Sequence, residues 1–211
     1  MPHLLRSSAG AGDRLVEIPL PIPATLPVWR MWLARLLVQI SEASLFAFLL
    51  LWLTGFGGEM RDNDVAQVFA FVLFAAVPIA ILAGRWSDRT RRPMAPLVVA
   101  VAIASLGLAG MAIAPDVVWG VGGYMTFGIA ASVFLALHSS QTLRVLPRPE
   151  HRGRDLGLFN LTNTIPSLVM PGIALAMIPV FGFQALFAVL AVLTFLALPL
   201  LTPRKGAWRA A

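Results

Sequence analysis

Val65–Gly84, VAQVFAFVLFAAVPIAILAG, runs for 20 residues without a charge, and the next nine, Arg85–Pro93, RWSDRTRRP, hold four arginines. At 1.5 Å rise per residue, a helix of that length spans the roughly 30 Å hydrocarbon core of a bilayer. Arginines packed beside such a run mark the cytoplasmic interface. The stretch therefore reads as a membrane span and the loop that ends it.

Five more runs follow the same pattern: Trp32–Leu53, Met94–Ala114, Val117–His138, Leu156–Pro179 and Phe183–Leu201. The composition agrees, because 58% of the 211 residues are hydrophobic and only 12% are charged. Soluble domains are about a quarter charged, and a soluble chain this short has too little interior to hide so much apolar surface. There is no cysteine, which excludes a disulfide scaffold, thiolate metal sites and cysteine nucleophiles. The expected fold is an all-α membrane protein with six transmembrane helices.

The net charge of +6 does not point to nucleic acid, because the basic residues flank apolar runs instead of forming one patch. Arg6, Arg14 and Arg30 precede the first span. Arg85, Arg89, Arg91 and Arg92 follow the second, and Arg144, Arg148, Arg152 and Arg154 follow the fourth. Arg204, Lys205 and Arg209 follow the sixth. With six spans all of these fall on one side, and Arg61 alone falls in a loop on the other. The positive-inside rule then places both termini in the cytoplasm, as in a bacterial inner membrane protein. Residues 1–28, with Pro19, Pro21, Pro23 and Pro27, read as an extended cytoplasmic arm ahead of a 29–202 transmembrane domain. Residues 203–211 read as a short basic tail near anionic headgroups.

Polar groups inside a membrane are costly, so their placement carries information. The third and sixth spans are almost wholly apolar, whereas the first, fourth and fifth are not. This pattern fits two three-helix units related by inversion, as in several transporter folds. On the first span Arg35, Gln39 and Glu42 follow an i, i+4, i+7 spacing, which keeps them within about 60° of one another on a helix. Glu42 falls near mid-membrane, where a carboxylate must be paired, hydrated or protonated. It is a candidate for binding and releasing a proton, or else a bond to a neighbouring helix.

The fifth span carries Asn160, Thr162, Asn163, Thr164 and Ser167 beside Pro166 and Pro171. Asn160, Thr164 and Ser167 share one face. The prolines free backbone carbonyls, which fits a bent helix beside a cavity, and Asn163 adds a further amide. The alternative is that these groups simply bond neighbouring helices. His138 is expected to close the fourth span, as a helix-end contact or a proton relay. No pattern requires a cofactor or a metal.

Gly84, Asp88, Arg89 and Arg92 match in type and spacing the loop signature G-x-x-x-D-R-x-G-R-[RK] of the major facilitator superfamily, and the chain resembles one six-helix half of such a transporter. Arg91 stands where the family has Gly, and Pro93 replaces the final basic residue. A second stretch, Pro147–Gly157, is similar to the P-x-x-x-R-G-x-x-x-G segment before the fifth or eleventh helix of these proteins. The resemblance implies a latch at the cytoplasmic loop built on Gly84, Asp88 and Arg89. It further implies a small-molecule substrate, possible coupling to protons, and a second six-helix half as partner. The Pro-rich arm favours correspondence to the C-terminal half.

An intramembrane serine protease would need a G-x-S turn and a second intramembrane His, and H-E-x-x-H would mark a zinc protease; none occurs in the sequence. An enzyme is not expected. The non-catalytic alternative to a transporter is a truncated or regulatory membrane subunit that pairs with another half.

Overall fold

The computed structural model describes residues 27–56, 62–90, 92–145 and 152–202. The helices are α1 (Val28–Thr54), α2 (Asp62–Thr90), α3 (Ala95–Ala112), α4 (Val117–Val145), α5 (Arg152–Phe195) and the short α6 (Ala197–Leu201). Among the described residues there is no strand. In hydrocarbon each backbone N–H and C=O must be satisfied within its own segment, and apolar helices meet that requirement. The terminal arm, the tail, Arg61, Arg91 and residues 146–151 lie outside the described residues.

Three helices depart from the expected ends. α2 continues through Gly84 and the arginine cluster to Thr90, so most of the presumed loop is helix. α4 likewise runs past His138 to Val145. Hydropathy stops at the membrane boundary, but intrahelical hydrogen bonding does not, and charged residues extend a helix readily into the headgroup layer.

The third departure concerns the helix count. Among the described residues five helices are long and apolar enough to cross a membrane, the expected fifth and sixth spans running together across a kink as α5. The expected break at Val180–Gly182 is confined to Gly182, whose φ of 76° and ψ of 175° lie outside the helical region. The backbone stays helical through Pro166, Pro171 and Pro179. Contacts with α1 show what Gly182 does. Trp32, Arg35 and Gln39 bond to Leu158, Thr162 and Asn163, so the first part of α5 runs parallel to α1. Arg30 bonds to Pro199 and Thr202, and Ser41 to Leu190 and Thr194, so the later part runs antiparallel. The chain reverses direction between these stretches.

α1 is the axle of the bundle. It packs antiparallel to α4, with Met31 beside His138 and Trp52 beside Gly120. Trp52 also meets Phe187 edge-on, ring centres 4.6 Å apart. α3 and α4 approach most closely: a Cβ on Gly107 would lie 2.5 Å from the Phe127 amide nitrogen, and one on Gly123 would lie 2.8 Å from Met111 Cγ. Small residues at such a crossing let backbones meet. The closest packing thus joins helices of the two expected triplets, which share one core around Leu45, Leu49, Leu108, Phe127, Phe134 and Phe187. Large apolar side chains such as Phe74, Leu106, Leu168 and Leu175 face outward, as a lipid-facing surface requires.

Candidate functional site

The stripe on α1 meets α5 along a ladder of side-chain bonds. Trp32 Nε1 donates to the Leu158 carbonyl at 2.9 Å. One turn on, Arg35 Nε donates to Thr162 Oγ1 at 3.1 Å, and its Nη1 donates to Ser139 Oγ on α4 at 2.8 Å. Gln39 Nε2 donates to Asn163 Oδ1. Asn163 Nδ2 then donates to Asn160 Oδ1 at 3.1 Å, and Ser167 Oγ donates to the Asn163 carbonyl at 3.4 Å. The α1 stripe therefore meets α5 at Thr162 and Asn163, which lie beside the expected Asn160–Thr164–Ser167 face, while Asn160 and Ser167 join only through Asn163.

The hydroxyls that hold Arg35 serve twice. Thr162 Oγ1 donates to the Phe159 carbonyl at 2.6 Å and Ser139 Oγ to the Leu135 carbonyl at 2.9 Å, so both present lone pairs to the guanidinium. Thr162 is fully buried, whereas Asn160, Asn163, Thr164 and Ser167 are exposed. The seam is thus anchored inside the bundle and open along one edge.

Glu42 lies two turns beyond Arg35 on the same stripe and is half-buried. Its charge and that of Arg35 act on each other, but no ion pair joins them among the described residues. Buried Tyr124 on α4 lies in the field of Glu42, with its ring against Phe69 at 5.3 Å.

His138 does not end its helix. It is wholly enclosed within α4, with Nε2 donating to the Met31 carbonyl at 3.0 Å and Nδ1 3.2 Å from Thr142 Oγ1. The Phe134 and Phe159 rings flank it at 5.2 and 6.1 Å. Both ring nitrogens are engaged, so the geometry is that of a pin between α1 and α4.

The arginine motif lies on the last turns of α2. Ser87 is buried there, while Asp88, Arg89 and Arg92 are exposed. Gly84 does not mark a close approach: a Cβ on it would meet Leu137 Cδ2 at 3.8 Å, an ordinary contact. The second motif falls partly outside the described residues, at 147–151.

Three contributors were not singled out from the sequence. They are Thr162, which lies off the Asn160–Thr164–Ser167 face, Ser139 and Tyr124. The signal available for Ser139 and Thr162 was a hydroxyl within reach of a membrane arginine. Among the described residues no three metal-ligating side chains cluster.

An all-helical bundle with an outward apolar surface and one polar seam between its first and fifth helices defines an integral, multi-pass membrane protein. The family model of the Major Facilitator Superfamily matches residues 19–210, and the chain belongs to that superfamily of membrane transporters. No curated protein matches the chain significantly.

Proposed function

We propose that the chain is one six-helix half of a secondary transporter, both termini cytoplasmic, and that its solute path follows the open edge of the α1–α5 seam. The observation that carries this is the exposure of Asn160, Asn163, Thr164 and Ser167 on the membrane-spanning part of α5. Exposed amides and hydroxyls are costly against lipid, so this edge faces water, solute or a second six-helix half. The reversal at Gly182 supports a sixth crossing, and the bond from Arg30 to Thr202 brings both described ends to one side. The arginine-rich flanks support the cytoplasm as that side.

In this reading Arg35, Gln39, Asn160, Asn163, Thr164 and Ser167 contact solute, and Glu42 carries the coupling proton. A carboxylate without an ion-pair partner can lose its charge by taking a proton and regain it on the other side of the membrane. Gly84, Asp88, Arg89 and Arg92 govern the balance between inward- and outward-facing forms, while His138 stays a pin and takes no part in proton transfer.

The test is solute-driven proton movement in liposomes holding the chain with its second half, which is another copy or a separate polypeptide. E42Q is expected to abolish proton coupling while leaving solute exchange. Proton coupling that survives E42Q unchanged removes Glu42 from the role. Absence of flux with either partner favours a non-transporting subunit.

A further inference from the structure

We infer that the α1–α5 seam binds an anionic oxygen group, a carboxylate or phosphate, through Arg35. The inference deepens the transporter reading, on which it rests for the idea that the seam meets solute. Arg35 is half-buried within α1, and its two bonds go to the neutral hydroxyls of Thr162 and Ser139. A guanidinium has five N–H donors and cannot be deprotonated in a protein. Its position is therefore fixed from two sides by neutral groups, no acid is bonded to it among the described residues, and further donors remain.

Glu42 is in a different position, although it too lacks an ion pair among the described residues. A carboxylate can discharge itself with a proton, so it needs no counter-ion; Arg35 does. About 10 Å of helix rise separates the two residues along α1, and although their charges act on each other no ion pair joins them among the described residues. The other titratable group beside the seam, His138, is enclosed and brings no negative charge.

The amide chain points the same way. Gln39 donates to Asn163 and Asn163 donates to Asn160, whose oxygen is thereby occupied. The chain thus ends in the amide N–H groups of Asn160, on the exposed edge of α5. A guanidinium with free donors in a seam lined by amide N–H groups suits negatively charged oxygen, because charge-assisted bonds to a guanidinium are among the strongest available. A neutral polyol would leave the charge of Arg35 uncompensated, and an organic cation would be repelled by it.

The same chemistry is present in a soluble anion and in a lipid headgroup, and the experiment separates them. The full chain is placed in nanodiscs of zwitterionic phosphatidylcholine. Thermal midpoints are then followed against inorganic phosphate, succinate, glucose and tetraethylammonium at matched ionic strength. Phosphate or succinate is expected to raise the midpoint saturably by several degrees, with apparent affinity at least tenfold weaker in R35Q and partly kept in R35K. Glucose and tetraethylammonium are expected to give no saturable shift. The double variant S139A/T162V retains the cation without its hydroxyl supports. It should still respond to anions, which an arginine serving only as a structural pin would not predict.

Replacing part of the lipid with phosphatidylglycerol identifies the source. Arg35-dependent stabilisation that removes the phosphate response assigns the site to a headgroup; an unchanged phosphate response assigns it to a soluble anion. No saturable anion response, or one equal in wild type and R35Q, overturns the inference. Anion binding without flux would count against the transporter reading alone. Flux of a neutral solute unaffected by R35Q would count against this inference alone.

Discussion

The imidazole of His138 on α4 holds the main-chain carbonyl of Met31 on α1 at 3.0 Å, and both residues are fully enclosed. Truncation by H138A leaves a cavity and strips Thr142 of a partner, so it is expected to cost about 2–4 kcal/mol. H138Q, which keeps an N–H donor, should recover part of that loss. Thermal unfolding in detergent measures both.

Gly107 and Gly110 lie on the same helix and predict opposite outcomes. A Cβ at Gly107 meets the backbone of Phe127 at 2.5 Å, whereas one at Gly110 meets nothing within 4 Å. G107A must push α3 off α4 and is expected to destabilise by about 1–3 kcal/mol. G110A is expected to be neutral or to stabilise by up to about 1 kcal/mol, through helix propensity. Equal midpoints for the two variants would refute the close crossing.

Gly182 has room for a side chain but not the backbone for one. Nothing lies within 4 Å of its Cβ position, yet its φ of 76° with ψ of 175° suits glycine almost alone. G182A is therefore expected to cost about 1–3 kcal/mol through backbone strain. Replacing neighbouring Phe181, an exposed residue, by leucine should change little. The contrast between the two midpoints is the readout.

The Gln39–Asn163 rung is open to a double-mutant cycle. Side-chain bonds between membrane helices contribute about 0.6–2 kcal/mol, so Q39L and N163L should be coupled by that amount. Additive effects would show that the two amides do not bond in the membrane.

Much of the bundle was legible because membrane thickness imposes a length on every apolar run. The Arg35–Gln39–Glu42 stripe was legible too, since helical period alone puts those residues together. Their partners were not. Which face of α5 meets α1 depends on its rotation, and one residue of offset turns the face by about 100°. The stripe consequently meets Thr162 and Asn163 rather than Thr164. Helix ends were misjudged at Arg85–Thr90 and Ser139–Val145, where polarity changes but backbone bonding continues. Gly84 shows the limit of motif matching: the spacing does not say how closely the helix packs, and the neighbouring Leu137 leaves room for a methyl group.

The position of α1 has a consequence for how the protein is made. Arg35 finds its two partners 104 and 127 residues further along the chain, and Ser41 finds Thr194 only after 153. At roughly 5–20 residues per second of synthesis, α1 spends about 5 to 30 seconds in the translocon or bilayer with its arginine unsupported. During that interval α1 depends on water, headgroups or a membrane chaperone, until helices made later supply its partners.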